Sequence, residues 1–241
     1  MPTRLSPNTN QPRHLVSTTP SGQAAPRAQD PPIAVLLVDD HPALRAGLRS
    51  LLSSEPGIEV LADVAGGEEA YTWYRAHRAD VVVMDLSMAG YGGMEALRRI
   101  LQFDPLARIL VYSVHTSEVM LHRALALGAL GYVTKGSSVD ALITGIRELA
   151  RGQGYVGPDM VSAMVRKRAT PEGGLLEQLS SREFQILILT AQGQAVAECA
   201  QALNLSEKTV RNHLTHIKAK LRAADTGALI RVAIRAGLAE A

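Results

Sequence analysis

Residues 81–85, VVVMD, run four apolar side chains together and then stop on a carboxylate. An unbroken apolar run of that length suits a strand buried on both faces, as in a parallel sheet with helices above and below it. The same pattern stands upstream at 33–40, IAVLLVDD, where the run ends on two acids, and downstream at 109–113, ILVYS, where it ends on a hydroxyl. Each run therefore delivers a polar group to the same end of the sheet.

Working outward, the strands are expected at Ile33–Val38, Ile58–Val64, Val81–Met84, Arg108–Tyr112 and Gly131–Val133. Between them apolar residues recur at helical spacing, as in Leu44, Leu48, Leu51 and Leu52, and again in Val139, Leu142, Ile143 and Ile146. Five such units over 33–151 describe a flavodoxin-like α/β domain with a five-stranded parallel sheet. Residues 1–32 are rich in Pro, Thr, Ser, Asn and Gln, have Asp30 as their one acid, and read as a disordered tail. Glycine and proline punctuate 152–174, which reads as an interdomain linker. Beyond it the strand signal stops. An all-α domain over 175–241 is expected, with helices near 181–192, 196–203, 207–221 and 226–236.

Composition narrows the classes. Apolar residues make up 46% of the chain, yet no run reaches the ~18 residues of a membrane span and no signal peptide opens the sequence. A cytoplasmic protein without a membrane partner is expected. Cys199 is the one cysteine, which excludes an intramolecular disulfide and a cysteine-rich metal site. Residues 33–151 carry 11 basic and 14 acidic residues, a formal charge of −3, whereas 175–241 carry 8 and 6, a charge of +2.

In an open α/β sheet the site lies beyond the carboxyl ends of the strands. Asp39 and Asp40 follow the first strand, Asp85 the third and Ser113 the fourth, and Lys135 ends the turn after the fifth. Three crowded carboxylates repel one another unless a cation neutralises them, and their hard oxygens suit Mg²⁺. A carboxylate can accept a phosphoryl group as an acyl phosphate where a metal and a fixed ammonium offset the developing charge. Asp85, Mg²⁺ and Lys135 supply that combination. An aspartate-nucleophile phosphatase would place a second Asp two residues after the nucleophile; Ser87 stands there, so the chain is not expected to be an enzyme.

The segments LLVDDHPALRAGLRSLL (36–52), DVVVMDLSMAGYGGMEALRRI (80–100), ILVYSVH (109–115) and GALGYVTKG (128–136) resemble the receiver domains of two-component response regulators. The resemblance implies that Asp85 is the phosphoacceptor, fed by a histidine kinase. Asp39, Asp40, Asp85 and the Ser87 carbonyl would hold Mg²⁺. Ser113 would be the hydroxyl that turns toward the phosphoryl oxygens, Lys135 the phosphate-binding ammonium, and Tyr132 the aromatic whose rotamer follows Ser113. Two positions depart from the family pattern: Ala89 and Gly136 stand where many receivers have proline.

In the second half Ser180-Ser181-Arg182-Glu183 has the form of a capping box and opens a helix. Ser206 is a natural N-cap for the third helix, on which Val210, Leu214, Ile217 and Leu221 form an inward stripe. About 120° around that helix lie Lys208, Arg211, Thr215, Lys218 and Arg222, with Asn212 at their flank. A basic, amide-bearing face of this kind suits a DNA major groove. Residues 179–221, LSSREFQILILTAQGQAVAECAQALNLSEKTVRNHLTHIKAKL, are similar to the LuxR-type helix-turn-helix, which with the receiver identifies the NarL/FixJ family. The resemblance implies a phosphorylation-dependent transcriptional regulator that binds double-stranded promoter DNA, as a homodimer when phosphorylated, and is nucleoid-associated when bound. Arg211, Asn212 and Thr215 would face base edges; Lys208, Thr209 and Lys218 would touch phosphates. Ala195, Val196 and Ala197 replace the polar residues that often precede the second helix, so a backbone contact is expected to be missing. His213 and His216, three apart, are read as packing rather than metal-binding residues. The unphosphorylated receiver is expected to dock on the third helix and mask it.

Overall fold

The computed structural model describes residues 31–88, 92–161, 171–176 and 178–239, with nothing described for the side chains of 171–173. The expected tail up to residue 30, Ala89 and the middle of the expected linker, 162–170, lie outside the described residues.

The strands β1 (Ile33–Val38), β2 (Ile58–Val64), β3 (Val81–Met84), β4 (Ile109–Ser113), β5 (Gly131–Thr134) and β6 (Tyr155–Val156) form one parallel sheet in the order β2-β1-β3-β4-β5-β6. The helices between them are α1 (Pro42–Ser53), α2 (Gly67–His77), α3 (Gly93–Phe103), α4 (Glu118–Ala126) and α5 (Val139–Ala150). Strand side chains alternate between two cores, as a period of two requires. Leu36, Val38, Val82, Met84, Ile109, Val111 and Tyr132 share one core with α2, α3 and α4. Val35, Leu37, Val81, Val83, Leu110, Tyr112 and Val133 share the other with α1 and α5. Because both faces are covered, β1 and β3 are apolar at every position and carry no amphipathic alternation.

The order reverses at β1, so that β2 lies on one side of it and β3 on the other. That reversal opens the crevice in which such sheets place their sites. Two strands end one residue later than expected, at Ser113 and Thr134, because backbone pairing continues through polar residues that end the apolar run. The two-residue β6 is a correction to the five-stranded reading. Flanked by Gly154 and Gly157, it is too short to show a period, yet it pairs with Gly131 and Tyr132.

The second half contains α6 (Pro171–Leu176), α7 (Ser181–Ala191), α8 (Val196–Ala202), α9 (Glu207–Leu221) and α10 (Thr226–Arg235). The sequence of α6, PEGGLL, has low helix propensity, and the fully buried Leu176 shows packing overriding it. The capping box forms as read: Ser180 Oγ accepts the Glu183 N–H at 3.2 Å, and Glu183 Oε2 accepts the Ser180 N–H at 2.8 Å. The same carboxylate oxygen receives Lys220 Nζ at 2.6 Å, tying the start of α7 to the end of α9. Val210, Leu214, Ile217 and Leu221 are all buried.

The two halves meet through α3, which packs on α7, and through α4. The Arg123 guanidinium donates to the carbonyls of Leu176 at 3.0 Å and Leu179 at 2.6 Å, and lies 4.2 Å over the Phe184 ring. The Leu176 carbonyl already accepts the Leu179 N–H at 3.2 Å, and Leu179 lies in the connection between α6 and α7, so the guanidinium adds a charged donor to both carbonyls of that short connection. Ser117 Oγ, just before α4, donates to the Ala236 carbonyl at 2.6 Å.

Candidate functional site

The end of β1 delivers Asp39 and the end of β3 delivers Asp85, each 1% exposed. Lys135, on the turn after β5, reaches both: its Nζ lies 2.7 Å from Asp39 Oδ2 and 2.8 Å from Asp85 Oδ2. Its backbone N–H donates to the Ser113 carbonyl at 2.8 Å, which ties that turn to β4. Burial opposes the Lys135 charge, but the hydrogen bonds and charges of Asp39 and Asp85 outweigh it and hold the ammonium's pKa above its ordinary value. The remaining oxygens are fixed from the backbone. Asp85 Oδ1 accepts the Ser87 N–H at 3.0 Å, and Asp39 Oδ1 accepts the His41 N–H at 2.8 Å. A Cβ built on Gly93 would come within 1.8 Å of the Asp85 carbonyl, so glycine is what lets α3 start hard against this strand end.

Asp40 and His41 complete the cluster. His41 Nδ1 stands 2.9 Å from Asp40 Oδ1 and 3.3 Å from Asp39 Oδ1. One donor atom each from Asp39, Asp40, His41 and Asp85 lies within 4.8 Å of the others. Ligands on opposite sides of Mg²⁺ stand roughly 4 Å apart, so only small adjustments would bring these oxygens round such an ion. Three carboxylates against one ammonium also leave two negative charges, the number a divalent cation neutralises. The donor set therefore fits Mg²⁺, with Asp39, Asp40 and Asp85 as the hard oxygens. His41 went unread as a member of the group, although its place directly after the Asp pair was a usable signal.

Ser113 ends β4 fully buried, its Oγ accepting the His115 N–H at 3.3 Å. Tyr132 is also fully buried, and its hydroxyl donates to the His115 carbonyl at 2.9 Å. Burial pushes the Tyr132 phenol's pKa well up and the His115 imidazole's down, so both are neutral near pH 7. Ser113 and Tyr132 thus meet at one residue, His115, which no pattern in the sequence singles out.

On α9, Lys208, Arg211, Asn212 and Thr215 are exposed, while Thr209 and Lys218 are half-buried. Ser206 caps the helix by accepting the Thr209 N–H at 3.1 Å. Arg211 pairs with Glu207 at 2.5 Å, and Thr215 Oγ1 donates to the Arg211 carbonyl at 3.0 Å. The expected masking of this helix is therefore corrected. The receiver lies against α6, α7 and the end of α10 through Arg123 and Ser117, and the basic face stays open. At the start of α8, where Ala195 offers no capping hydroxyl, Glu198 Oε2 accepts the Ala195 N–H at 2.7 Å. His213 is half-buried, with burial lowering its pKa, and neither it nor His216 joins a group of three or more potential ligands among the described residues.

Two family descriptions match the chain: "Response regulator receiver domain" over residues 35–147 and "Bacterial regulatory proteins, luxR family" over 177–233. The chain is 38% identical over 211 residues to the response regulator UvrY of Escherichia coli K12, covering 87% of this chain and 97% of that one. It is 33% identical over 211 residues to the response regulator GacA of Pseudomonas aeruginosa, covering 87% and 99%. Among solved structures, RcsB of Salmonella enterica serovar Typhimurium, bound to promoter rprA in the presence of the phosphomimetic BeF3−, superposes with a TM-score of 0.61 at 26% identity, covering 83% of this chain and 98% of that one.

Proposed function

The chain belongs to the NarL/FixJ response regulators, a receiver domain joined to a luxR-family DNA-binding domain in phosphorylation-dependent control of transcription, and we propose on that premise that Asp85 is its phosphoacceptor and α9 its DNA-reading helix. The carrying observation is the single ammonium of Lys135 bonded to both buried carboxylates, Asp39 and Asp85. An Asp85 oxygen attacks the phosphorus of a phosphohistidine on a histidine kinase. The P–N bond breaks, a P–O bond forms, and the chain carries an acyl phosphate while the kinase histidine is released. Lys135 transfers one of its hydrogen bonds from Asp85 Oδ2 to a phosphoryl oxygen. Asp39, Asp40, Asp85 and the Ser87 carbonyl would hold Mg²⁺, which would supply positive charge to offset the phosphoryl group. Ser113 Oγ turns to the phosphoryl oxygens and leaves the His115 N–H, and Tyr132 follows because it is bonded to the same residue.

The domains are assigned as a tail over 1–32, a receiver over 33–151 to which β6 adds an edge, a linker over 152–174 and a DNA-binding domain over 175–241. Arg211, Asn212 and Thr215 read base edges in double-stranded promoter DNA, and Lys208, Thr209 and Lys218 contact phosphates. The phosphorylated protein pairs as a homodimer. It works in the cytoplasm and on the nucleoid as a regulator rather than an enzyme; among the described residues no helix is long and apolar enough to cross a membrane.

Purified protein incubated with labelled acetyl phosphate tests the acceptor. Label should enter only with Mg²⁺ present, and Asp85→Asn should abolish it. Undiminished incorporation in that variant would place the acceptor elsewhere and overturn the reading.

A further inference from the structure

Lys135 must stand in one place to serve both Asp39 and Asp85, and backbone bonds alone, the Lys135 N–H on the Ser113 carbonyl at 2.8 Å and the Ser137 N–H on the Thr134 carbonyl at 3.1 Å, hold the main chain of its turn. The turn leaves β5 through Gly136, at a position where many receivers have proline, and glycine is the residue with most backbone freedom to lose. What flanks the lysine is a hydroxyl on each side. Thr134 Oγ1, in a residue 1% exposed, donates to Asp159 Oδ2 at 2.5 Å, and Ser137 Oγ donates to Asp159 Oδ1 at 2.6 Å. One carboxylate thus grips the turn immediately before and two residues after Lys135.

Asp159 comes from outside that turn. It lies in the 3₁₀ turn Pro158–Met160, just past β6, where the chain leaves the sheet toward the second domain. That turn is itself anchored. The Gly157 N–H donates to the Tyr132 carbonyl at 2.8 Å, the Met160 N–H to the Gly157 carbonyl at 2.9 Å, and Met160 is 2% exposed. A Cβ on Gly157 would stand 2.9 Å from Asp159 Oδ1, so the carboxylate's close approach uses the absence of a side chain there. Among the described residues Asp159 makes no ion pair. Burial works against its charge, but the Ser137 and Thr134 hydroxyls and the backbone N–H groups outweigh it and hold the carboxyl below its ordinary pKa.

We propose that Asp159 is a positioning residue for Lys135: a carboxylate delivered from the start of the interdomain connection clamps both hydroxyls beside the lysine and so sets where its ammonium stands. The inference rests on the reading of Asp85 as acceptor and Lys135 as its phosphate partner. Asp159 touches no reacting atom and acts through the lysine alone. A misplacement of about an ångström at a reacting centre costs on the order of a hundredfold in rate. Loss of the clamp is expected to slow phosphorylation about tenfold to a hundredfold.

The test is a double-mutant cycle on the full chain, reading the rate of Mg²⁺-dependent labelling by acetyl phosphate. Asp159→Asn should slow a protein that has Lys135 and should slow a Lys135→Ala protein no further. Thr134→Val and Ser137→Ala, each removing one hydroxyl, should give smaller losses of the same kind, and Thr134→Ser should restore the rate; these carry the test if Asp159→Asn does not fold. Equal slowing with and without Lys135 would make the contact merely structural and overturn the proposal, as would an undiminished rate in Asp159→Asn. Asp85→Asn runs beside them. If it still labels, the acceptor reading fails; if it is silent while Asp159→Asn labels normally, only the clamp fails.

Discussion

The carboxyl end of the sheet and the open face of α9 both gather charge, under opposite conditions. The side chains of Asp39, Asp85 and Lys135 are 2%, 1% and 9% exposed, and each is held by the others. Arg211 is 63% exposed and pairs with one residue, the half-exposed Glu207 on its own helix. Removing an ion from water costs several kcal/mol, so a buried constellation persists only when its members satisfy one another, and losing one strands the rest. An exposed pair is worth roughly 0–1 kcal/mol and is easily exchanged for another partner such as a phosphate. The first region is built for a coupled, all-or-none change, the second for graded and nearly additive contacts.

The largest effect should come from breaking the buried set. Lys135→Ala leaves Asp39 and Asp85 buried without their shared cation, and should lower stability by about 3–5 kcal/mol in Mg²⁺-free urea titrations. Asp85→Asn removes one of three crowded carboxylates and should cost far less under the same conditions. Adding Mg²⁺ should raise the wild-type midpoint by mass action, and a chelator should reverse it. Equal losses in the two variants would mean that the cluster is not electrostatically coupled and would erase the contrast with α9.

The contrast also explains what the sequence could reveal. A strand buried on both faces writes itself as an apolar run, so β1 and β3 were legible to the residue, and so were the acids on which they stop, while the edge strand β2 interrupts its apolar residues with Glu59 and Asp63. The stripe and cap of α9 were legible because helical spacing and capping chemistry are local. Partnerships whose acceptor is a backbone carbonyl have no residue signature, and this hid Arg123 on Leu176 and Leu179, and Ser117 on Ala236. The expectation that the receiver covers α9 failed for that reason: Arg123 and Ser117 hold the second half by its carbonyls and by Phe184, away from the basic face. Asp159 was equally hidden, since its partners Thr134 and Ser137 are more than twenty positions away and the turn around it read as linker.

A middle-sized effect should come from the buried anchor beneath the open face. Glu183, 4% exposed, accepts from the Ser180 N–H and from Lys220 of α9. Burial opposes its charge, but Lys220 and the capping bonds outweigh it and depress the carboxyl below its ordinary 4.5. A depressed acid contributes stability that is fully present above its unfolded pKa and lost as pH falls through the folded one. Glu183→Gln should therefore cost about 1–2 kcal/mol near pH 7 and progressively less below pH 4.5. Denaturation midpoints of the two proteins that stay parallel down to low pH would show that the carboxylate's charge plays no part.

On the open face itself, Arg211→Ala should relax preference at one base position per half-site. Its exposed guanidinium needs only to release Glu207 to reach a guanine edge, and a bidentate arginine–guanine contact is worth about 1–3 kcal/mol of discrimination. Binding selections on randomised half-sites measure this. Unchanged base preference would mean that a different face of α9 enters the groove.

The smallest effect sharpens the comparison most, because it asks whether the open face really behaves additively. Lys208 is exposed in the first turn of α9, next to the Ser206–Thr209 cap. A cation at the rim of a reading helix meets the phosphate backbone before it meets a base, and a phosphate contact carries no sequence information. Each phosphate neutralised releases condensed counterions and steepens the fall of affinity with salt by about one unit of logarithmic slope. Lys208→Ala should therefore weaken cognate and scrambled duplexes by the same factor and flatten the salt slope by about one unit, leaving base preference intact. In the Lys208→Ala/Arg211→Ala double variant the two losses should add within about 0.5 kcal/mol, as independent sites do. Titrations of both duplexes at several salt concentrations give all these quantities at once. A coupling well above that figure would show that α9 contacts DNA as a mutually fixed set, in the manner of the buried cluster at the far end of the molecule's chemistry.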